Sequence, residues 1–256
     1  MKSTPEYQAN AEMMLKQYVY GELESTNAQM KARACWVYGE FASFPFADED
    51  WLRDSLNRIY QCLMGNDLPV RVNAAVALIK LLHHPVAEDF VRPGLAEIIR
   101  IYLTLIDEID YDELINSLKT IVDVFENEIG PFALQLCIKL SEAFLRLSEQ
   151  KEQQTGGGKE LERDSDTSLT TEGLMTAIRR ILQSISGRYP ELYPQLEEYL
   201  EQPILITLND VANESTDEGL TCLSELIYNQ PESSERMWNF FNHIVQSLME
   251  GRGILD

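Results

Sequence analysis

Apolar residues recur at i, i+3, i+4 and i+7 almost throughout the chain, and few segments alternate apolar and polar positions with period two. The pattern predicts helices, punctuated by Gly, Pro, Asn or Asp at intervals of about 15 to 20 residues. The helices so predicted are Pro5–Leu23, Asn27–Phe44 (closed by Pro45), Glu49–Met64, Leu68–His83, Glu88–Ile106 and Asp112–Glu128. Phe132–Leu147, Thr170–Ser186, Pro190–Leu200 with a continuation toward Thr207, Thr216–Tyr228 and Ser233–Met249 complete the series. In Asp112–Glu128 the stripe Leu114, Leu118, Ile121, Val122 and Phe125 opposes Asn116, Thr120, Asp123 and Asn127, so one side belongs to a core and the other to water.

Taken in twos, these helices repeat at about 40 residues, the period of HEAT or armadillo arrays. Each apolar stripe is too broad for one neighbour, so a helix pair covers one side internally and the other against the next pair. The clearest repeat signature is Asp67-Leu-Pro-Val-Arg71 followed by Val72–Leu82, which is similar to the HEAT turn and its second, B, helix. Asp67 is expected to cap, Pro69 to fit the first turn, and Ala74, Ala75 and Ala77 to let helices approach closely. This sets the register: Asn27–Phe44, Leu68–His83, Asp112–Glu128, Thr170–Ser186 and Thr216–Tyr228 are B helices, the others A helices. The fold class expected is all-α, a HEAT-repeat α-solenoid, a right-handed superhelix of antiparallel helix pairs. Residues 1–256 read as a single HEAT-repeat segment. Its last helix is an A helix without a B partner, so a longer solenoid is expected. One stretch breaks the rhythm: residues 148–167, polar and with a Gly-Gly-Gly run, read as a flexible insertion between the A and B helices of one repeat.

Charge adds a function class. Against 21 Lys and Arg stand 42 Asp and Glu, a formal net charge of -21. Such a surface repels nucleic acid and anionic membrane and steers basic proteins toward it. No stretch reaches the roughly 18 apolar residues of a membrane span, and the first residues lack the apolar core of a secretory signal. Cys35, Cys62, Cys137 and Cys222 lie far apart inside apolar helical stretches and are expected as buried thiols in a reducing compartment.

Nothing selects a catalytic centre. HExxH, GxSxG and the phosphate-cradling glycine motifs are missing, and Gly156-Gly157-Gly158 lacks the Lys-Ser/Thr that a P-loop needs. The adjacent His83 and His84 point apart on a helix and are poor co-ligands; a capping or surface role is expected for them. The acidic run Asp107–Glu113 lacks the glycine and terminal glutamate of a calcium loop. No enzyme, cofactor or metal is expected. Trp36, Trp51 and Trp238 are expected in the core, with a groove between A helices for a peptide anchor such as a Phe-Gly repeat as the other possibility.

Two stretches carry a more specific likeness. The first is Lys31-Ala-Arg-Ala-Cys-Trp-Val-Tyr-Gly-Glu-Phe41, preceded by Val19–Leu23 and followed by Leu68–Val72. The second is Asp107–Leu114 leading into Leu118–Phe125 and then Ile129–Cys137. In order and spacing they resemble the central HEAT repeats of the importin-beta (karyopherin-beta) superfamily, importin-seven/importin-eight branch. The resemblance implies a nuclear transport receptor, a karyopherin shuttling between cytoplasm and nucleus, that carries basic protein cargo such as ribosomal proteins or histones. It also implies Ran-GTP and Phe-Gly nucleoporins as partners of the full-length protein, with no direct nucleic acid and no membrane. The resemblance places the family's Ran-binding helices at the extreme amino terminus, outside the matched stretch, while central repeats can add a contact. By the same resemblance the B helices line a concave face, and the candidate cargo-binding carboxylates are Asp112, Glu113, Asp123, Glu126, Asp217, Glu218 and Glu225. The competing expectation is a HEAT-repeat scaffold or adaptor subunit of a non-transport complex.

Overall fold

The computed structural model describes residues 5–109, 111–155, 171–209, 216–230, 232 and 234–249. Its contacts divide the chain into two compact units, Met1–Val124 and Phe125–Asp256.

The first unit opens with α1 (Pro5–Met14), a π turn over Leu15–Val19 and a 3-10 turn over Tyr20–Glu24. Then come α2 (Ala28–Glu40), α3 (Glu49–Leu63), α4 (Leu68–Lys80), α5 (Pro85–Val91), α6 (Leu95–Glu108) and α7 (Asp112–Val124). The starts of α2 and α3 are set by side chains: Asn27 Oδ1 accepts from Gln29 N at 2.9 Å, and Asp48 Oδ1 from Trp51 N at 3.0 Å. Each satisfies a backbone donor that the first helical turn leaves unpaired. Packing follows the HEAT rhythm. The A helix α3 lies on its B helix α4, α6 lies on α7, and the B helices run α2 against α4 against α7. Small residues permit the α2–α4 approach: a methyl group added at Gly39 would sit 3.4 Å from Ala77 Cα, and Ala74, Ala75 and Ala77 are all buried. Tyr102 of α6 is fully buried and donates its hydroxyl to the Ala75 carbonyl, and Tyr38 of α2 meets Ser55 of α3 at 3.0 Å.

The second unit holds α8 (Ala133–Thr155), α9 (Thr171–Ile185), α10 (Tyr193–Asn209), α11 (Thr216–Tyr228) and α12 (Glu235–Met249). Here α9 packs on α8, α11 on α10, the B helices α9 and α11 on one another, and the A helices run α8 against α10 against α12. Tyr193 is buried and donates to the Leu182 carbonyl at 3.0 Å; burial lifts its phenol to about 12. The four cysteines are free thiols and all buried.

Several boundaries differ from the sequence expectation, each for a local reason. The first helix does not run unbroken from Pro5 to Leu23. It gives way to the π turn at Leu15 and the 3-10 turn at Tyr20, and Leu15 and Leu23 are both buried. The helix expected over Glu88–Ile106 is two helices, because Pro93-Gly94 forms a 3-10 turn over Arg92–Gly94. Pro93 has no N–H to donate and its ring would clash with the carbonyl four residues back. Asp67 occupies the N-cap position of α4 without a side-chain capping bond, so Pro69 in the first turn is the start signal that holds. Past Leu147, α8 continues through Thr155 into the segment expected as an insertion; the remainder of that segment, 156–167, lies outside the described residues. Nor are Trp36 and Trp238 core residues: they are 38% and 58% exposed.

Candidate functional site

Seven carboxylates were singled out by their place on B helices or the turns beside them. Asp112 and Glu113 open α7, where the partial positive charge of a helix start favours them. Both are partly exposed, and Glu113 accepts the Tyr111 hydroxyl. Asp123 is exposed near the other end of α7, about 16 Å along the axis from Asp112 at 1.5 Å per residue. It lies close enough to Lys119 to favour that ammonium, yet desolvation dominates and holds Lys119 below the ordinary lysine range. Glu126 is exposed in the turn ahead of α8. On α11, Asp217 is exposed in the first turn.

Glu218 and Glu225 stand differently. One turn-and-turn apart on α11, both face the neighbouring B helix α9. Glu218 takes Arg179 Nε at 2.5 Å and Thr176 Oγ1 at 3.2 Å. Glu225 receives Gln183 Nε2 at 3.5 Å and Asn229 Nδ2 at 3.3 Å. Asn229 Oδ1 in turn accepts from Ser186 Oγ at 2.9 Å and from the backbone of Gly187, which closes the ladder at a left-handed turn (φ 68°). These two glutamates therefore help hold adjacent repeats together, Glu218 through an ion pair with Arg179 and Glu225 through neutral amides. All seven acids are at least partly exposed, and Asp123, Glu126 and Asp217 are the fully exposed ones.

The first unit has ties of the same kind. Lys80 Nζ on α4 reaches Glu40 on α2 at 3.2 Å, Arg71 reaches Glu108 at 3.0 Å, and His84 Nε2 meets the Ala42 carbonyl at 2.7 Å. His84 also packs on Phe46, centroids 4.9 Å apart, so it joins neighbouring repeats as well as ending the α4 segment. The partners that tie one repeat to the next are separated by 37 to 43 residues, the length of one repeat.

Sequence reasoning missed one polar feature. Gln29, Arg33, Trp36 and Glu40 form a stripe at i, i+4, i+7 and i+11 on α2, opposite the buried Ala34, Cys35 and Tyr38. The mixture of a tryptophan with three polar residues on that stripe was the available signal. Among the described residues, no three His, Cys, Asp or Glu are grouped to hold a metal ion, and no helix is long and apolar enough to cross a membrane.

No family model matches the chain. Curated relatives do. The importin beta-like SAD2 homolog of Arabidopsis thaliana is 30% identical over 98% of this chain and 24% of its own length. The probable importin-7 homolog of Dictyostelium discoideum is 31% identical over 96% of this chain and 22% of its own. Importin-8 of Homo sapiens is 25% identical over 89% of this chain and 21% of its own. The chain thus spans about a quarter of the length of the curated relatives it matches. With its A and B helices paired in the HEAT manner and neighbouring repeats tied at one-repeat spacing, the chain belongs to the importin-beta superfamily, on the branch of importin-7 and importin-8.

Proposed function

We propose that this chain is a segment of a nuclear transport receptor that binds basic protein cargo through its exposed acids. The observation that carries the reading is the similarity to proteins named importins along nearly the whole chain. The excess of 42 acidic over 21 basic side chains supports it independently, since such a surface draws cationic proteins toward it. Asp123, Glu126 and Asp217, exposed, and Asp112 and Glu113, partly exposed, are the acids of the candidate set outside the α9–α11 ladder, and a cargo lysine or arginine can reach them. Each exposed pair contributes only about 0.2–1 kcal/mol, so affinity comes from several pairs acting together. The cargo would be histones or ribosomal proteins, and the receptor would shuttle between cytoplasm and nucleus with Ran-GTP and Phe-Gly nucleoporins as partners of the full-length protein. No bond is made or broken in this role.

The test is a titration of the 256-residue chain with a purified core histone at about 0.05 and 0.2 M salt. Binding that weakens steeply with salt, and weakens again when Asp123, Glu126 and Asp217 are changed together to Lys, is the expected result. Equal affinity at both salts would count against the electrostatic reading and favour a scaffold that holds its partners by other means.

A further inference from the structure

Arg33 is an unusual cation in this molecule. Twice as many acids as bases are present, and six of the thirteen arginines, Arg58, Arg71, Arg92, Arg100, Arg179 and Arg236, each lie within 4.0 Å of a carboxylate. Arg33 is exposed on α2 and has no carboxylate partner among the described residues. Its guanidinium lies over the Trp36 ring instead, 3.8 Å from the centroid. The one acid on the same stripe, Glu40, is engaged by Lys80. Trp36 is itself anomalous, a large aromatic 38% exposed on a B helix whose other face is packed.

These two residues line a shallow groove of about 240 Å³ between α2 and α4, together with Gln29, Ala32 and Asn73. Asn73 donates Nδ2 to the Pro69 carbonyl at 2.8 Å, which leaves its amide oxygen without a partner among the described residues. The Gln29 side-chain amide is equally unengaged; only its backbone N–H is used, at the cap of α2. The groove therefore offers one positive charge, a flat aromatic wall, and amide groups able to meet a peptide backbone.

We infer that this groove docks an acidic peptide segment of a partner protein, with an Asp or Glu carboxylate on Arg33. Stacking on an indole leaves the in-plane N–H groups of a guanidinium free and already oriented, so less entropy is lost when a carboxylate takes them in bidentate fashion. Trp and Arg are also the residues that carry the largest shares of binding energy at protein interfaces. The site is opposite in charge preference to the acids proposed for cargo, and it stands or falls separately from them.

Fluorescence anisotropy of a labelled Glu/Asp-rich peptide, set beside its Gln/Asn and Lys counterparts, tests this with the 256-residue chain in about 0.15 M salt. The acidic peptide should bind more tightly than the neutral one, despite the overall negative charge. Arg33→Ala should weaken it about tenfold or more, the scale of a lost charge-assisted hydrogen bond. Trp36→Ala should weaken it too, and Arg33→Lys should recover only part of the affinity. Arg53→Ala, at an exposed arginine of α3 outside the groove, should change nothing. Helical circular dichroism checks folding, and since Arg33 is exposed its variant decides the matter even if Trp36→Ala unfolds. Equal binding of acidic and neutral peptides, no effect of Arg33→Ala, or an equal loss with Arg53→Ala would overturn the inference. So would displacement of the peptide by inorganic phosphate as complete as by unlabelled acidic peptide, since the groove would then be a simple anion site.

Discussion

Gly219 shows how little room a single position can have. Added at this glycine, a Cβ would fall 1.9 Å from Oγ1 and 2.9 Å from Cβ of Thr207, whose side chain is fully buried and donates to the Ile204 carbonyl at 2.7 Å. Gly219→Ala should destabilise the second unit by about 1–3 kcal/mol, the usual cost of overpacking. Adding Thr207→Ala should return part of that loss; urea midpoints of the single and double variants measure both. A sequence cannot reveal this, since Gly219 and Thr207 belong to different helices and their approach exists only after packing. At Trp36 the information was present. Its neighbours at helical spacing are polar, but an aromatic inside Arg33-Ala-Cys-Trp-Val-Tyr38 reads as core when hydrophobicity is counted without direction. The burial of Cys35, Cys62, Cys137 and Cys222, by contrast, was legible from their apolar surroundings alone.

At the scale of elements, Thr216–Tyr228 was read to the residue, and the helix read as Leu68–His83 ends at Lys80, where a 3-10 turn takes over. Errors gathered at the π turn after α1 and at Pro93, where a residue without an N–H ends a helix whose apolar stripe runs on. Ties between elements were less legible still, because a glutamate on a polar face looks the same whether it meets solvent or the next helix. Glu218→Gln should lower stability by about 1 kcal/mol or less, as for a partly exposed pair, with the difference shrinking in high salt. The junction of α1 and α3 carries a pH dependence. The Lys16 ammonium and then the Trp51 N–H hold Asp48 below the usual carboxylate range, while the Tyr20 hydroxyl and then Arg58 do the same for Asp54. Depressed carboxylates add stability that is fully present above their unfolded pKa, near 4, and is lost as pH falls through the lower folded value. The urea midpoint of the first unit should therefore drop below about pH 4, and Asp54→Asn should flatten that drop.

For the molecule as a whole, two compact units predict unfolding that depends on the probe. Trp36 and Trp51 report on the first unit and Trp238 on the second. Chains retaining only Trp238, or only the other two, should give distinct urea transitions, and Gly219→Ala should move the Trp238 transition far more than the other. One coincident transition for all three would show a single cooperative block. The fold class was the most legible property, since it rests on a period repeated many times. The distribution of charge over function was the least: the count of acids is plain in the sequence, but which of them are already matched depends on the neighbouring repeat.

The constant spacing of the inter-repeat ties also bears on how the chain reaches its folded state. Each tie closes a loop of 37 to 43 residues, and the packed helix pairs close shorter ones. Closure entropy depends on the logarithm of loop length, so every step of assembly faces nearly the same barrier wherever in the chain it begins. Relative contact order then falls as repeats are added, which favours rapid folding for a polypeptide of this size. Assembly can start at any helix pair and spread to either side. A stopped-flow refolding experiment should accordingly show several parallel phases of similar rate in place of one slow nucleation step.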